Sequence, residues 1–104
     1  MEKILIDKFS VPTESIEEFL KEVRKSASVL RTIPGFVEGF IYESADGVSG
    51  HNVVTMAVWK SEEAFENAKK TAMLEFQKIG FNPQEIMSRL RVEMERGIYK
   101  RSPY

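Results

Sequence analysis

Residues 57–65, Ala-Val-Trp-Lys-Ser-Glu-Glu-Ala-Phe, decide the fold because they carry the chain directly from a strand into a helix. Trp59, the only tryptophan, stands near the end of a run from Val53 to Lys60 whose near-continuous apolar character is typical of a strand buried on both faces. Ser61 is a favourable N-cap, and the two glutamates after it suit the positive end of a helix dipole. This stretch therefore predicts a central strand followed at once by a helix.

The chain before this junction contains two more strands and a helix. Residues 2–9 are rich in β-branched and apolar side chains and predict a first strand. An amphipathic pattern then predicts a helix from near residue 14 to the Pro34-Gly35 stop, capped by Thr13 or by a capping box of Ser15 and Glu18. A second strand is expected over 36–43, and its alternation places three aromatic residues on one face: Phe36, Phe40 and Tyr42.

The chain after the junction ends with a short helix and a strand. Residues 45–52 form a turn-rich loop before the central strand, and Gly80 is a natural end for the helix that Ser61 begins. Asn82 followed by Pro83 is a second cap, which predicts a short helix to about Leu90. A last strand is expected over 91–100.

The resulting order, βαββαβ with one extra helix before the last strand, is the α+β ferredoxin-like pattern. It predicts a four-stranded antiparallel sheet with helices on one face. The second face of the central strand is also apolar, and an uncovered apolar face of that size indicates an interaction surface. We therefore expect a homodimer that closes two sheets face to face, and a cavity between sheet and helices for a small apolar or aromatic molecule.

Length and composition limit the other possibilities. A chain of 104 residues suits one domain, 1–104, with a core over 2–99 and a frayed tail over 100–104. Fifteen basic and sixteen acidic residues are interspersed, so nothing resembles the basic stripe that nucleic acid or an anionic membrane would require. The absence of cysteine excludes disulfides and thiolate metal sites. A cytoplasmic protein is expected, since no signal peptide or membrane span is recognisable.

Few residues carry potential chemistry, and each has a structural alternative. Asp7 stands among apolar residues of the first strand, where a carboxylate either serves as a base in an apolar pocket or pairs with a Lys or Arg at the sheet edge. Trp59 either lines a pocket or simply packs in the core. The only histidine, His51, lies in the loop and is expected to be solvated. Potential hydrogen-bonding groups for a ligand oxygen are Thr55, Tyr42, Tyr99 and Arg96.

Two segments in their observed order carry a family resemblance. Pro34-Gly35-Phe36 after an amphipathic helix, followed by residues 54–65, resembles the antibiotic biosynthesis monooxygenase domain family of dimeric α+β barrels, over residues 2–99. That family includes cofactor-independent monooxygenases of quinols and polycyclic aromatics, haem-degrading monooxygenases and an isomerase. The resemblance thus implies the fold more strongly than one reaction.

The resemblance transfers to single positions only in part. Trp59 matches a strand-end Trp that lines the pocket in several of the monooxygenases, but Thr55 stands where the aromatic oxygenases carry Asn. Asp7 stands where haem degraders carry Asn on the first strand. Lys69 and Lys70 occupy the region of their iron-ligating His, so haem degradation by that ligation is not expected.

Two functions remain open from the sequence. The first is a cofactor-independent monooxygenase, an oxidoreductase that needs neither metal nor flavin, with catalytic Asp7 and Trp59 and a substrate site lined by Thr55, Tyr42, Phe9 and Phe40. The second is a non-catalytic dimer of the same fold that binds a small ligand or a partner. It predicts a salt-bridged Asp7 and an interior filled by side chains.

Overall fold

The computed structural model describes all 104 residues and has the element order that the sequence predicts. A 3₁₀ turn, Thr13–Ser15, precedes the first helix. The strands and helices are β1 (Lys3–Ser10), α1 (Ile16–Leu30), β2 (Phe36–Glu43), β3 (Val53–Trp59), α2 (Glu62–Lys78), α3 (Pro83–Leu90) and β4 (Glu93–Tyr99). The α+β ferredoxin-like fold is thereby confirmed.

The four strands form one antiparallel sheet in the order β2-β3-β1-β4. In its register Asp7 of β1 lies opposite Thr55 of β3 on one side and opposite Arg96 of β4 on the other. Because side chains alternate along a strand, these three residues point to the same face, which the helices cover. The opposite side is called the open face below.

None of the three helices combines the length and the apolar composition that a membrane span requires.

Two of the three predicted helix caps form as expected. Ser61 Oγ accepts a hydrogen bond from Ala64 N–H at 3.0 Å, and Asn82 Oδ1 accepts one from Glu85 N–H at 3.1 Å. The capping box at Ser15 does not form. Ser15 already has helical backbone angles (φ −107°, ψ −2°), whereas a side-chain N-cap needs an extended conformation, so the preceding 3₁₀ turn leads into α1 instead.

The predicted alternation of β2 is wrong at its first residue. A register irregularity between Phe36 and Glu38 places Phe36 on the helix-covered side, where its ring meets Trp59 edge-on at 5.4 Å. Phe40 and Tyr42 lie on the open face, stacked at 5.9 Å. An irregularity that inserts one residue reverses the side-chain alternation after it, and the sequence contains no signal for it.

The helix-covered side has two separate apolar clusters. The Phe9 cluster occupies one end of the sheet and comprises Phe9, Val11, Phe19, Leu20, Val53, Phe81, Ile86 and Leu90. The Trp59 cluster occupies the other end and comprises Ile33, Trp59, Phe65, Ala68 and Ala72. Phe76 of α2 packs against both clusters. The apolar layer is therefore continuous on the helix side, whereas the sheet residues below it belong to two separate clusters.

The C-terminal tail lies against one end of the open face. Arg101 donates hydrogen bonds to Glu2 at 2.5 Å and to Glu38 at 3.2 Å. Glu38 is opposite Val58 in the sheet, and β3 separates β2 from β1, so this guanidinium bridges residues on either side of β3. Val58 is only 1% exposed although it lies on the open face. At the rest of this face Phe40, Tyr42 and Tyr99 remain exposed.

Candidate functional site

A row of three polar residues crosses the helix-covered side of the sheet. Thr55, Asp7 and Arg96 are direct neighbours on β3, β1 and β4, and are called the polar row below. Asp7 is the only buried polar or charged residue of the protein. A charge so far from water requires a partner, because an unpaired buried carboxylate costs several kcal/mol.

The polar row separates the two apolar clusters. On β1, Phe9 belongs to the Phe9 cluster and Leu5 packs against the Trp59 cluster, with Asp7 between them. On β3, Val53 and Ala57 flank Thr55 in the same way. The sheet therefore presents one polar stripe in an otherwise apolar layer, which is the composition of small-molecule sites in proteins.

Asp7 and Arg96 form a bidentate ion pair. Arg96 Nε donates to Asp7 Oδ1 at 2.8 Å and Arg96 Nη2 donates to Oδ2 at 2.9 Å. This hydrogen bonding to Asp7 raises the pKa of the Arg96 guanidinium, and burial opposes the shift only partly. Of the two alternatives for Asp7, the structure has the one in which the carboxylate pairs with an arginine of the sheet edge.

The pair is open to solvent on one side only. The Asp7 side chain is 11% exposed, whereas the Arg96 side chain is 53% exposed. Arg96 lies on the edge strand β4, and Ile98, the next residue of β4 on the same face, is exposed as well. The helices thus leave the β4 end of the polar row uncovered.

Trp59 lies deeper than the polar row. It is 3% exposed and packs among Phe36, Phe65, Ala68 and Ala72 in the Trp59 cluster. Phe9 is similarly buried and meets Phe19 edge-on at 4.9 Å. Both side chains are core residues in this structure, and their contact with a substrate stays a prediction.

The six residues predicted for the site fall on two sides of the sheet. Asp7, Thr55, Trp59 and Phe9 share the helix-covered side. Phe40 and Tyr42 lie on the open face, so within one chain the sheet separates them from Asp7. Arg96 was only one of several possible hydrogen-bonding groups in the sequence. Its alternation with Met94 and Ile98 on an amphipathic last strand is the signal that would have placed it on the same side as the core.

Two shallow, open cavities lie elsewhere, at the loop between β2 and β3. One, of about 340 Å³, is lined by residues such as Ser10, Asn52 and Arg91. The other, of about 330 Å³, is lined by residues that include Tyr42 and His51. Neither includes Asp7 or Trp59. His51, expected to be solvated, lies 2.8 Å from Glu95 and holds this loop to β4.

Two further observations concern metals and haem. No three His, Cys, Asp or Glu side chains converge as a metal site would require. Lys69, in the region where haem degraders of the family carry a histidine, lies over the Phe65 ring at 5.2 Å and pairs with Glu66 at 3.0 Å. The ammonium group of Lys69 therefore has two partners within α2 itself.

Several solved structures share the fold. A protein from Shewanella loihica PV-4 is 18% identical, with a TM-score of 0.75 and 99% of this chain and 96% of that chain covered. SnoaB, a cofactor-independent oxygenase from Streptomyces nogalater, is 21% identical, with a TM-score of 0.71 and 99% and 95% covered. A haem-degrading protein from Mycobacterium tuberculosis is 23% identical, with a TM-score of 0.58 and only 66% and 78% covered.

A comparison with curated protein sequences finds no match. The sequence model of the antibiotic biosynthesis monooxygenase family matches residues 4–78, from β1 through the end of α2. This match spans most of the chain and includes the junction at Trp59 and Ser61 from which the fold was predicted. The chain therefore belongs to the antibiotic biosynthesis monooxygenase family.

Proposed function

We propose that this protein is a cofactor-independent monooxygenase that acts on a small aromatic or quinol-like substrate. Family membership supports monooxygenase chemistry, and SnoaB, which shares the fold, is a cofactor-independent oxygenase. The observation that carries the proposal is the polar row, in which the single buried carboxylate of the protein lies between two apolar clusters. The substrate would lie at the β4 end of this row.

In this proposal Asp7 acts as the general base. Each of its oxygens accepts one hydrogen bond from Arg96, and a carboxylate oxygen has a second lone pair that can take a proton from the substrate. The substrate carbanion or phenolate then passes electrons to O₂. One oxygen atom enters the substrate, and the other leaves as water with two substrate hydrogens, so no external reductant is needed.

The other residues of the row would stabilise the negative charge that develops on the substrate. Arg96 is a fixed cation beside the base, and the hydroxyl of Thr55 can donate a hydrogen bond. Thr55 is preferred to Tyr42 for this role because Tyr42 lies on the open face. Trp59 would not contact the substrate from an open cavity. It would pack behind the residues that line the apolar side of the site, as part of the Trp59 cluster.

The proposed active form is a homodimer that joins the open faces of two chains. The exposed aromatic residues of that face, Phe40, Tyr42 and Tyr99, are the apolar surface that a second copy would cover. The dimer leaves the helix-covered side, and with it the polar row, outside the contact.

One alternative function is supported by a specific observation. A non-catalytic dimer of this fold would keep Asp7 in an ion pair and fill its interior with side chains, and both the Asp7–Arg96 pair and the packing of Trp59 agree with it. It would bind a small ligand or a partner without turnover. Activity measurements separate it from the monooxygenase.

The decisive experiment is oxygen uptake by the purified protein with a panel of anthrones and hydroquinones. Wild type is expected to consume oxygen, and Asp7→Asn to lose roughly 100-fold or more of the rate, the usual contribution of a general base. Asp46→Asn, which changes an exposed carboxylate of the loop, is the matched control and should keep full activity. Absence of turnover, or equal turnover in a folded Asp7→Asn protein, would refute the proposal.

A further inference from the structure

The ion pair with Asp7 leaves part of the Arg96 guanidinium unused. A guanidinium has five N–H donors, and Asp7 takes one at Nε and one at Nη2. The remaining donors, on Nη1 and Nη2, have no partner in the protein. They form the second two-donor edge of the same planar group, the edge that matches a carboxylate.

Asp7 also fixes where that free edge lies. Two short hydrogen bonds hold the plane of the guanidinium, so the unused edge cannot turn freely as a solvated arginine would. An arginine fixed in this way loses less conformational entropy when it binds a ligand, and preorganisation of this kind raises affinity. Its side chain is half-exposed, so a ligand can reach it from solvent.

Two exposed apolar side chains, one on β4 and one on α2, lie on the side of the sheet to which the free edge belongs. Ile98, beside Arg96 on the helix-covered side of β4, is 53% exposed. Met73 of α2 is 62% exposed, and helical spacing puts it on the same side of α2 as Glu62. Glu62 pairs with Lys3 of β1 at 3.5 Å, so this side of α2 borders the β1–β4 half of the sheet.

We propose that Arg96 is the anchor for a carboxylate carried by an aromatic substrate, whose ring lies against Ile98 and Met73. This inference rests on the proposed function, because it names the substrate class of the same site. A carboxylate on the free edge of Arg96 would hold the attached ring at the exposed β4 end of the polar row. The preferred substrates are thus aromatic acids rather than neutral aromatics.

Binding of two probes of nearly equal shape tests the inference without any turnover. We would measure 2-naphthoate and its neutral amide, 2-naphthamide, by isothermal titration calorimetry. Wild type is expected to bind the naphthoate at least tenfold more tightly, because hydrogen bonds between a guanidinium and a carboxylate are stronger than those to a neutral amide. Equal affinities, or binding of neither probe, would overturn the inference.

Variants at position 96 identify the residue responsible. Arg96→Gln should abolish the preference for the naphthoate, and Arg96→Lys, which keeps the charge but lacks the fork, should reduce it severalfold. Arg89→Gln, which removes a surface arginine paired with Glu18, is the matched control and should leave the preference unchanged. Because Arg96→Gln leaves Asp7 unpaired and can fail to fold, the double variant Asp7→Asn, Arg96→Gln provides the same test with a neutral pair.

The results distinguish this inference from the proposed function. If anthrones are oxidised but the naphthoate has no advantage in wild type, or keeps its advantage without Arg96, the monooxygenase stands and the carboxylate anchor fails. If nothing is oxidised but the advantage exists and disappears in the Arg96 variants, the anchor stands as a ligand site and the monooxygenase fails.

Discussion

Asp7 and Arg96, 89 residues apart in the chain, are joined on neighbouring strands by two hydrogen bonds of 2.8 and 2.9 Å. The carboxylate is almost enclosed while the guanidinium is half-exposed. The guanidinium therefore compensates the buried carboxylate. It is itself held in one orientation at the surface of the site. Its stability and its chemistry can be tested separately.

Removal of Arg96 should destabilise the protein more than removal of the Asp7 charge. Arg96→Gln leaves an uncompensated carboxylate in the apolar layer, whereas Asp7→Asn leaves a guanidinium that water can reach. Breaking a fully buried pair costs about 3–5 kcal/mol, and the exposure of Arg96 reduces the expectation for Arg96→Gln to about 2–3 kcal/mol. Urea denaturation of both variants and of the double variant measures the difference. Equal losses in the two single variants would contradict this account.

The contribution of the pair should persist in alkaline solution. The folded-state pKa of Arg96 is raised, so its stabilising effect is complete below the unfolded arginine pKa and is lost only as pH rises through the still higher folded value. Between pH 7 and 10 Arg96 stays protonated in both the folded and the unfolded state. Its titration should therefore not reduce the difference in unfolding free energy between wild type and Asp7→Asn.

Arg96→Lys is the matched variant for this pH test. A lysine titrates near pH 10.4, so its coupling to Asp7 should weaken as pH rises beyond about 10 while that of arginine does not. Comparison with Asp7→Asn in each background cancels the titration of other groups. A wild-type coupling that fades together with the lysine coupling would show that the arginine is not the partner.

The sequence predicts the elements of this fold well because its signals are local. Ser61 and Asn82 form their caps as expected, and Gly80 adopts a φ of +69° just after α2. Side-chain direction is harder to predict, since the irregularity after Phe36 reverses the alternation of β2. The identity of the residue that pairs with Asp7 is equally hard to predict, because it depends on the register between β1 and β4, which no local pattern determines.

In the site, too, local patterns are predictable and long-range packing is not. The alternation of β3 correctly puts Thr55 and Trp59 on one side, together with Val53 and Ala57. It cannot show that Trp59 is enclosed while the exposed end of the row is at Arg96, because exposure depends on where the helices pack. The opening of the site is a tertiary property, and it lies at Arg96 on β4 rather than at Trp59.

Trp59 should contribute mainly to stability. It is packed in the Trp59 cluster with its ring edge-on to Phe36, so Trp59→Ala is expected to cost about 3–5 kcal/mol, and Trp59→Phe clearly less. Chemical denaturation followed by circular dichroism measures both, since the only tryptophan is removed. If Trp59→Phe is as stable as wild type but loses most of its oxygen uptake, Trp59 contacts the substrate and the packing role is secondary.

Gly35 should be far less replaceable than Gly80, although both have positive φ. An added Cβ at Gly35 would lie 2.5 Å from the Cβ of Ala64 in the first turn of α2, while nothing lies within 4 Å of one at Gly80. Gly80→Ala should cost about 1–2 kcal/mol for the left-handed backbone alone. Gly35→Ala should cost about 1–3 kcal/mol more through overpacking. Similar denaturation midpoints for the two variants would show that α2 shifts to make room.

A charge on the open face should abolish the proposed dimer. Tyr42 is half-exposed and stacks on Phe40 in the aromatic surface that a second chain would cover, so Tyr42→Glu would bury an unpaired carboxylate in the contact. Size-exclusion chromatography with light scattering should give twice the chain mass for wild type and the single chain mass for the variant. Leu74→Glu, at an exposed apolar residue of α2 on the other side of the sheet, is the matched control and should remain dimeric. A monomeric wild type, or a dimer that Leu74→Glu dissociates and Tyr42→Glu does not, would place the contact elsewhere.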